Sequence, residues 1–201
     1  MTVITIRDNF PEVAAKLKRL ADDVGNKVLV RSLNATIDQG KTQMARTISQ
    51  EFRITVGAAK DRLKVSKASA KKSSIGFEVS LEATKKGKGR AMNLIAFVEN
   101  KTTFGESRKR AKAGTQSQVF FQVKRSGGKR YIKGGFIGNK GRTLFIRTGK
   151  TRLPIRSLST IDIPSMFNTK RINATVVKVM RERFELNFNR ELDKVTQGFV
   201  K

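Results

Sequence analysis

Between Lys101 and Thr160 the chain carries sixteen Lys and Arg residues against one acidic residue, Glu106. Cations at that density cannot be gathered into an apolar interior, because burying an unpaired charge costs far more than the surrounding contacts return. The segment must fold with its charges outward, which suits it to face a polyanion. The excess runs through the whole chain of 201 residues, with 43 basic and 16 acidic side chains and a formal net charge of +27. Such a chain attracts phosphate at any physiological pH, so nucleic acid is the favoured partner. The bland alternative is a solvated basic surface that serves solubility.

The length suits one domain, and 38% hydrophobic residues suffice for a single core. We expect that domain to comprise a helical part over 1–63, a basic β-rich part over 64–160 with loops near 84–91 and 105–117, and a helical part over 161–201. No window approaches the roughly 20 apolar residues of a membrane span. The opening MTVITIRDNF lacks a basic start followed by an apolar run, so synthesis in the cytoplasm is expected.

Cysteine and histidine are both absent. A disulfide framework and a thiolate metal site are thereby excluded, and the commonest general base and zinc ligand are missing. The acids Glu51, Asp61, Glu78, Glu82, Glu99, Glu106 and Asp162 are scattered, with no spacing that suggests a carboxylate pair. We therefore expect no enzyme, no cofactor and no metal. Gly40-Lys41-Thr42 and Gly149-Lys150-Thr151 imitate the end of a phosphate-binding loop. Ala35 and Leu144 stand where its first glycine belongs, and the first string falls within an expected helix, so both are rejected.

Asn9 and Glu12 form a capping box that predicts a helix to about Asp23. A second helix is expected from Asn26 towards Glu51, with Leu29, Leu33, Ile37, Met44, Ile48 and Phe52 mainly on one face and Gly40 weakening it. Thr55 can cap a short helix over 56–63. Ile75, Phe77, Val79 and Leu81 then alternate with polar or small residues, the period of a strand with one wet face. Leu94 to Val98 is expected as the next strand. The glycine-rich basic loop 85–90 precedes it, and a second basic loop, Ser107 to Thr115, follows it. Gln118 to Lys124 and Lys129 to Ile132, joined by Ser126-Gly127-Gly128, read as a basic β-hairpin. Phe120, Phe121, Tyr131, Phe136 and Phe145 are interleaved with these cations. Base stacking is one reading of them, and core packing with Val119, Val123, Ile132, Ile137 and Ile146 is the favoured one. A last helix from Thr169 places Ile172, Val176, Met180, Phe184, Phe188 and Leu192 at four-residue steps, suited to pack on the second helix.

The most distinctive string is Gly149-Lys150-Thr151-Arg152-Leu153-Pro154-Ile155-Arg156-Ser157-Leu158, followed by Ile163-Pro164-Ser165-Met166-Phe167 and the last helix. It resembles the minor tail protein Z family of long-tailed phages, where a G-K-S-R-L-P-I-R-x-L run leads through V-P-x-M-F into a C-terminal helix. Leu33-Asn34-Ala35-Thr36 with Gly40 is similar to that family's A-L-N-x-T helix. The resemblance spans most of the chain. It departs at Ser159-Thr160-Ile161, where a Tyr-Gly-Pro-like turn is usual, and at Thr151, where serine is usual. Any contact that depends on that tyrosine is not carried over.

The resemblance implies a structural virion protein that completes the tail at its head-proximal end, joins it to the head and helps position DNA for ejection. It implies a homo-oligomeric ring, expected as a hexamer. The partners it implies are tail terminator or tail tube proteins, head connector proteins and double-stranded DNA in the channel, with no membrane. No catalytic residues are carried over. From the residues themselves we expect an α+β fold with helices at both ends and a small antiparallel sheet carrying basic loops. The candidate partner or DNA contacts are Lys85, Lys86, Lys88, Arg90, Arg108, Lys109, Arg110, Lys112, Lys124, Arg125, Lys129, Arg130, Lys150, Arg152 and Arg156. Arg152 and Arg156 suit a carboxylate of an adjoining subunit, a DNA phosphate, or an internal pair with Asp162 or Glu99. The alternative from another class is a free, sequence-nonspecific nucleic-acid-binding architectural protein. A nuclease or protease of the assembly pathway is the weakest reading.

Overall fold

The structure, a computed structural model, describes residues 3–7, 22–69, 78–84, 92–99, 104–114, 118–149 and 151–199. In chain order these form β1 (Val3–Arg7), α1 (Asp22–Glu51), α2 (Val56–Lys60), β2 (Leu63–Ser66), β3 (Glu78–Ala83) and β4 (Met92–Asn93). A 3₁₀ turn (Leu94–Phe97), α3 (Phe104–Lys112), β5 (Gln118–Phe121), β6 (Arg130–Lys133), β7 (Gly135–Gly138) and β8 (Thr143–Arg147) follow. The chain ends in β9 (Ile155–Ser157), β10 (Ser159–Thr160), α4 (Ile163–Phe167) and α5 (Lys170–Phe199). The fold is α+β, as the sequence predicts. The expected helix over 9–23 falls largely outside the described residues.

The described chain divides into two compact units. The first, here the helical unit, takes in Met1–Thr47, Lys60–Thr84 and Phe167–Lys201. Its sheet is antiparallel in the order β1-β3-β2, and Leu81 of the central strand is paired with Ile4 on one side and Val65 on the other. The alternation expected of β3 holds where it is described: Val79 and Leu81 are buried and Glu78 is exposed.

The two long helices of this unit meet at specific residues. Gly40 is buried in α1, and a Cβ added there would lie 2.7 Å from the Met180 sulfur of α5. That glycine is a site of close helix approach, which outweighs its roughly 1 kcal/mol propensity penalty in mid-helix. Asn187 of α5 donates to the Thr36 hydroxyl at 3.0 Å, and Thr36 in turn donates to the Ser32 carbonyl at 2.7 Å. The buried hydroxyl of Thr36 thus both donates and accepts, as a buried polar group must be satisfied. Val28, Leu29, Leu33, Ile37 and Met44 of α1 are buried, as are Ile172, Val176, Met180, Phe184 and Phe188 of α5. Each such side chain contributes roughly 1.5–3 kcal/mol by leaving water.

The second, cationic unit takes in Ile48–Ala59 and Lys85–Met166. It contains the hairpin β5–β6, the antiparallel sheet β7-β8-β9 and the short pair β4–β10. Its core includes Phe52, Phe97, Val119, Leu144, Ile163 and Met166. Residues 94–98 are not the strand expected of them. Leu94 and Phe97, three apart, are both buried while Ala96 is exposed, a spacing that suits a 3₁₀ turn. The Asn93 side chain starts that turn by accepting from the Ile95 amide at 3.0 Å, and it also holds the Leu144 amide of β8 at 3.0 Å.

The basic stretch expected as a loop from Ser107 to Thr115 contains α3 instead. Glu106 stands in its first turn and Lys109, Arg110 and Lys112 in its last, the charge order that complements the helix dipole. Gly114, at φ +71°, follows its end. The short helix expected over 56–63 stops at Lys60, and Leu63 opens β2. Pro164 lies in the short separate helix α4, where Asp162 accepts from the Ser165 amide at 3.0 Å and the Ser165 hydroxyl at 2.7 Å.

Candidate functional site: the cationic surface of the second unit

The hairpin β5–β6 forms as the sequence predicts, in the register Gln118↔Lys133 to Phe121↔Arg130, but β5 ends at Phe121 instead of Lys124 and β6 lies one residue later than expected. Its strands alternate between two faces. Val119 is fully buried on one face. On the other, Phe120 and Tyr131 stand directly opposite each other, 38% and 58% exposed. Core packing therefore fails for these two rings. Phe136, in contrast, is buried in the β7-β8-β9 sheet and stacks on Phe145 at 5.9 Å.

The cations separate into held and unheld ones. Lys124 lies 3.9 Å from Glu51 and 5.8 Å from the Phe52 ring centre. Arg125 donates through Nε to the Ser49 carbonyl at 2.7 Å, and Lys129 reaches Glu99 at 3.1 Å. Arg53 also pairs with Glu99 and donates to Gln122 at 3.2 Å. Arg53 first, and Lys129 second, hold the Glu99 carboxyl below the usual carboxylate range. By contrast Lys109, Arg110, Lys112, Arg130, Arg152 and Arg156 are exposed, and among the described residues none of them makes an ion pair. Arg108 lies within α3. Lys85, Lys86, Lys88, Arg90 and Lys150 lie outside the described residues.

Within the chain, Arg152 and Arg156 take neither of the internal partners weighed for them. Arg53 and Lys129 occupy Glu99, and Asp162 caps α4. Arg156 sits on β9 opposite Ile146, at the outer edge of its sheet. The segment before it is held by its backbone: Thr148 donates through both its amide and its hydroxyl to the Pro154 carbonyl, at 3.3 and 3.0 Å. Leu153 and Ile155 are left exposed, and the Leu153-Pro154 peptide is cis.

Sequence reasoning missed five described cations of this unit, among them Arg53 at Glu99 and Lys140, exposed in the β7–β8 turn. Lys133 is exposed on β6, Arg142 is exposed in the β7–β8 turn, and Arg147 lies 5.6 Å from the Phe136 ring centre. It also missed an apolar groove of about 720 Å³ lined by Phe136, Ile137, Phe145, Ile155 and the 138–141 turn. The aromatic run was a usable signal for the groove, whereas only the register reveals which rings face outward. Among the described residues no group of three or more acidic side chains is placed to hold a metal ion, and no helix is long and apolar enough to cross a membrane.

These features define a class: a cationic α+β protein that displays its charge on short strands and turns. The chain belongs to the family described as Prophage minor tail protein Z (GPZ), whose model matches residues 11–200. It is thus a structural protein of the phage tail and a component of the virion. No curated protein and no solved structure gives a significant match.

The structure also explains two of the motif segments. Within Leu33-Asn34-Ala35-Thr36, Leu33 is core and Thr36 receives Asn187. Asn34 grips the backbone of Ala68 in both directions, accepting from its amide at 2.8 Å and donating to its carbonyl at 3.1 Å. The Ile163 to Phe167 run supplies three buried apolar side chains, Ile163, Met166 and Phe167.

Proposed function

We propose that the protein completes the tail at its head-proximal end, joins tail to head and helps position the DNA for ejection. The observation that carries this reading is the charge of the cationic unit, in which 21 basic residues accompany 4 acidic ones. The polyanion that a tail must accommodate is the genome. Exposed lysines and arginines contact phosphates without reading bases, as a conduit for any genome end requires. In this reading the protein acts as a homo-oligomeric ring, expected as a hexamer, between tail terminator or tail tube proteins and head connector proteins, with double-stranded DNA in its channel.

A stop codon early in the reading frame of the parent phage, with a complementation control, tests this by negative-stain electron microscopy of the lysate. Filled heads beside separate full-length tails, or joined particles that fail to deliver DNA, are the expected result. Normal infectious particles would remove the joining role and leave a free nucleic-acid-binding protein.

A further inference from the structure

The outward face of the hairpin carries a feature that contact with duplex phosphates does not use. Phe120 and Tyr131 are direct cross-strand partners with ring centres 6.1 Å apart and planes tilted by 52°. An exposed aromatic pair on a sheet face costs solubility unless something covers it. The tilt means that the two rings cannot both lie flat on one planar group. Tyr131, the more exposed, offers a face, and Phe120 buttresses it from the side.

The surroundings select the occupant. Lys129, Arg130 and Lys133 are exposed within two residues of Tyr131. No acidic residue occurs anywhere from 107 to 161. Glu99, the carboxylate that Lys129 reaches, is shared with Arg53. A face of this kind suits a flat aromatic group attached to a chain of anions. Within a duplex the base faces are covered by their neighbours, so the matching ligand is an unpaired nucleotide.

We propose that the outward face of the β5–β6 hairpin is a stacking platform for a base of single-stranded DNA, seated on Tyr131 with a flanking phosphate on Lys133, two residues along the same face of β6. The platform takes any base, because every base has a stackable face, and its selectivity is for unpaired over paired strands.

The chain itself provides the probe. It has one tyrosine and no tryptophan, so its tyrosine emission comes from Tyr131 alone. The full-length protein is titrated with a short oligothymidylate, an abasic oligodeoxynucleotide of the same length and a duplex. Saturable quenching by the oligothymidylate is expected, with roughly 5- to 100-fold tighter binding than the abasic strand, the ratio that one stacked base supplies. Binding of labelled strands followed by anisotropy should show that Tyr131→Ala loses this preference while Tyr131→Phe keeps it. Equal affinity for the two single strands, or an undiminished preference in Tyr131→Ala, would overturn the platform. Equal quenching by duplex would overturn its selectivity. These outcomes are independent of the tail-joining role: a phage lacking the protein that still gives normal particles removes that role and leaves the platform standing.

Discussion

The helical and cationic units carry nearly the same number of cations in very different company. The helical unit sets 22 basic residues beside 12 acidic ones, and the cationic unit 21 beside 4. In the former, charges are partly offset, as where Lys67 meets Asp38 at 2.8 Å, around buried stripes on two long helices. In the latter, short strands and turns are tied by side chains that grip backbone: Asn93 on Ile95 and Leu144, Gln122 on Arg125 and Gly127, Thr148 on Pro154. Attraction for a polyanion is therefore concentrated in the unit least able to hide charge. The helical unit owes its form to apolar packing.

The largest test of this contrast is Phe184→Ala, which removes a fully buried ring from α5. It should lower unfolding stability by about 3–5 kcal/mol in urea titration. A drop below about 1 kcal/mol would mean that the stripe does not hold the helical unit together.

A smaller effect is expected at the carboxylate that anchors two cations. Arg53 and Lys129 depress the Glu99 pKa in the folded state. Its contribution is therefore present at and above the usual carboxylate range, and it is lost as pH falls through the lowered folded value. Urea midpoints measured across a pH series should fall less steeply on acidification for Glu99→Gln than for the unaltered protein. Identical slopes would show that the cluster is neutral to stability.

The smallest stability change belongs to Arg152→Gln with Arg156→Gln. Both residues are exposed, so stability should stay within about 0.5 kcal/mol. The salt dependence of duplex binding should nevertheless flatten, by about one unit of log–log slope for each phosphate that the variant no longer neutralises. An unchanged slope together with a weakened fold would reverse the roles assigned to the two units.

Much of the helical unit was legible. The four-residue steps of Ile172, Val176, Met180, Phe184, Phe188 and Leu192 identify one face of one long helix, of which the first five are buried and Leu192 is half-buried. The cationic unit was legible in charge but less so in shape. Residues 94–98 read as a strand and 107–115 as a loop, because short apolar runs fit either period and because composition does not carry the order of charges along a helix. Placing charges of the right sign at each end of α3 stabilises a segment that composition alone marks as irregular. Strand β1 went unread, since its pairing with β3 is a contact between distant residues.

The candidate site divides in the same way. That the cations face outward followed from their number, and Arg130, Arg152 and Arg156 are exposed as expected. Which of them are held was not readable, because Arg53 and Glu99 are distant in sequence and meet only in the fold.

By itself, then, the sequence determined the α+β class, the long helical stripes, the outward display of charge and the family. All of these rest on local periodicity, on the cost of burying ions and on contiguous motifs. Tertiary structure alone decided that Gly40 is a helix contact, that Asn34 clamps Ala68, that Glu99 gathers two cations and that Phe120 and Tyr131 face out. Each of those depends on strand register or on residues remote in the chain, and a one-residue slip of β5 against β6 would have exchanged Phe120 for Val119 on the outer face.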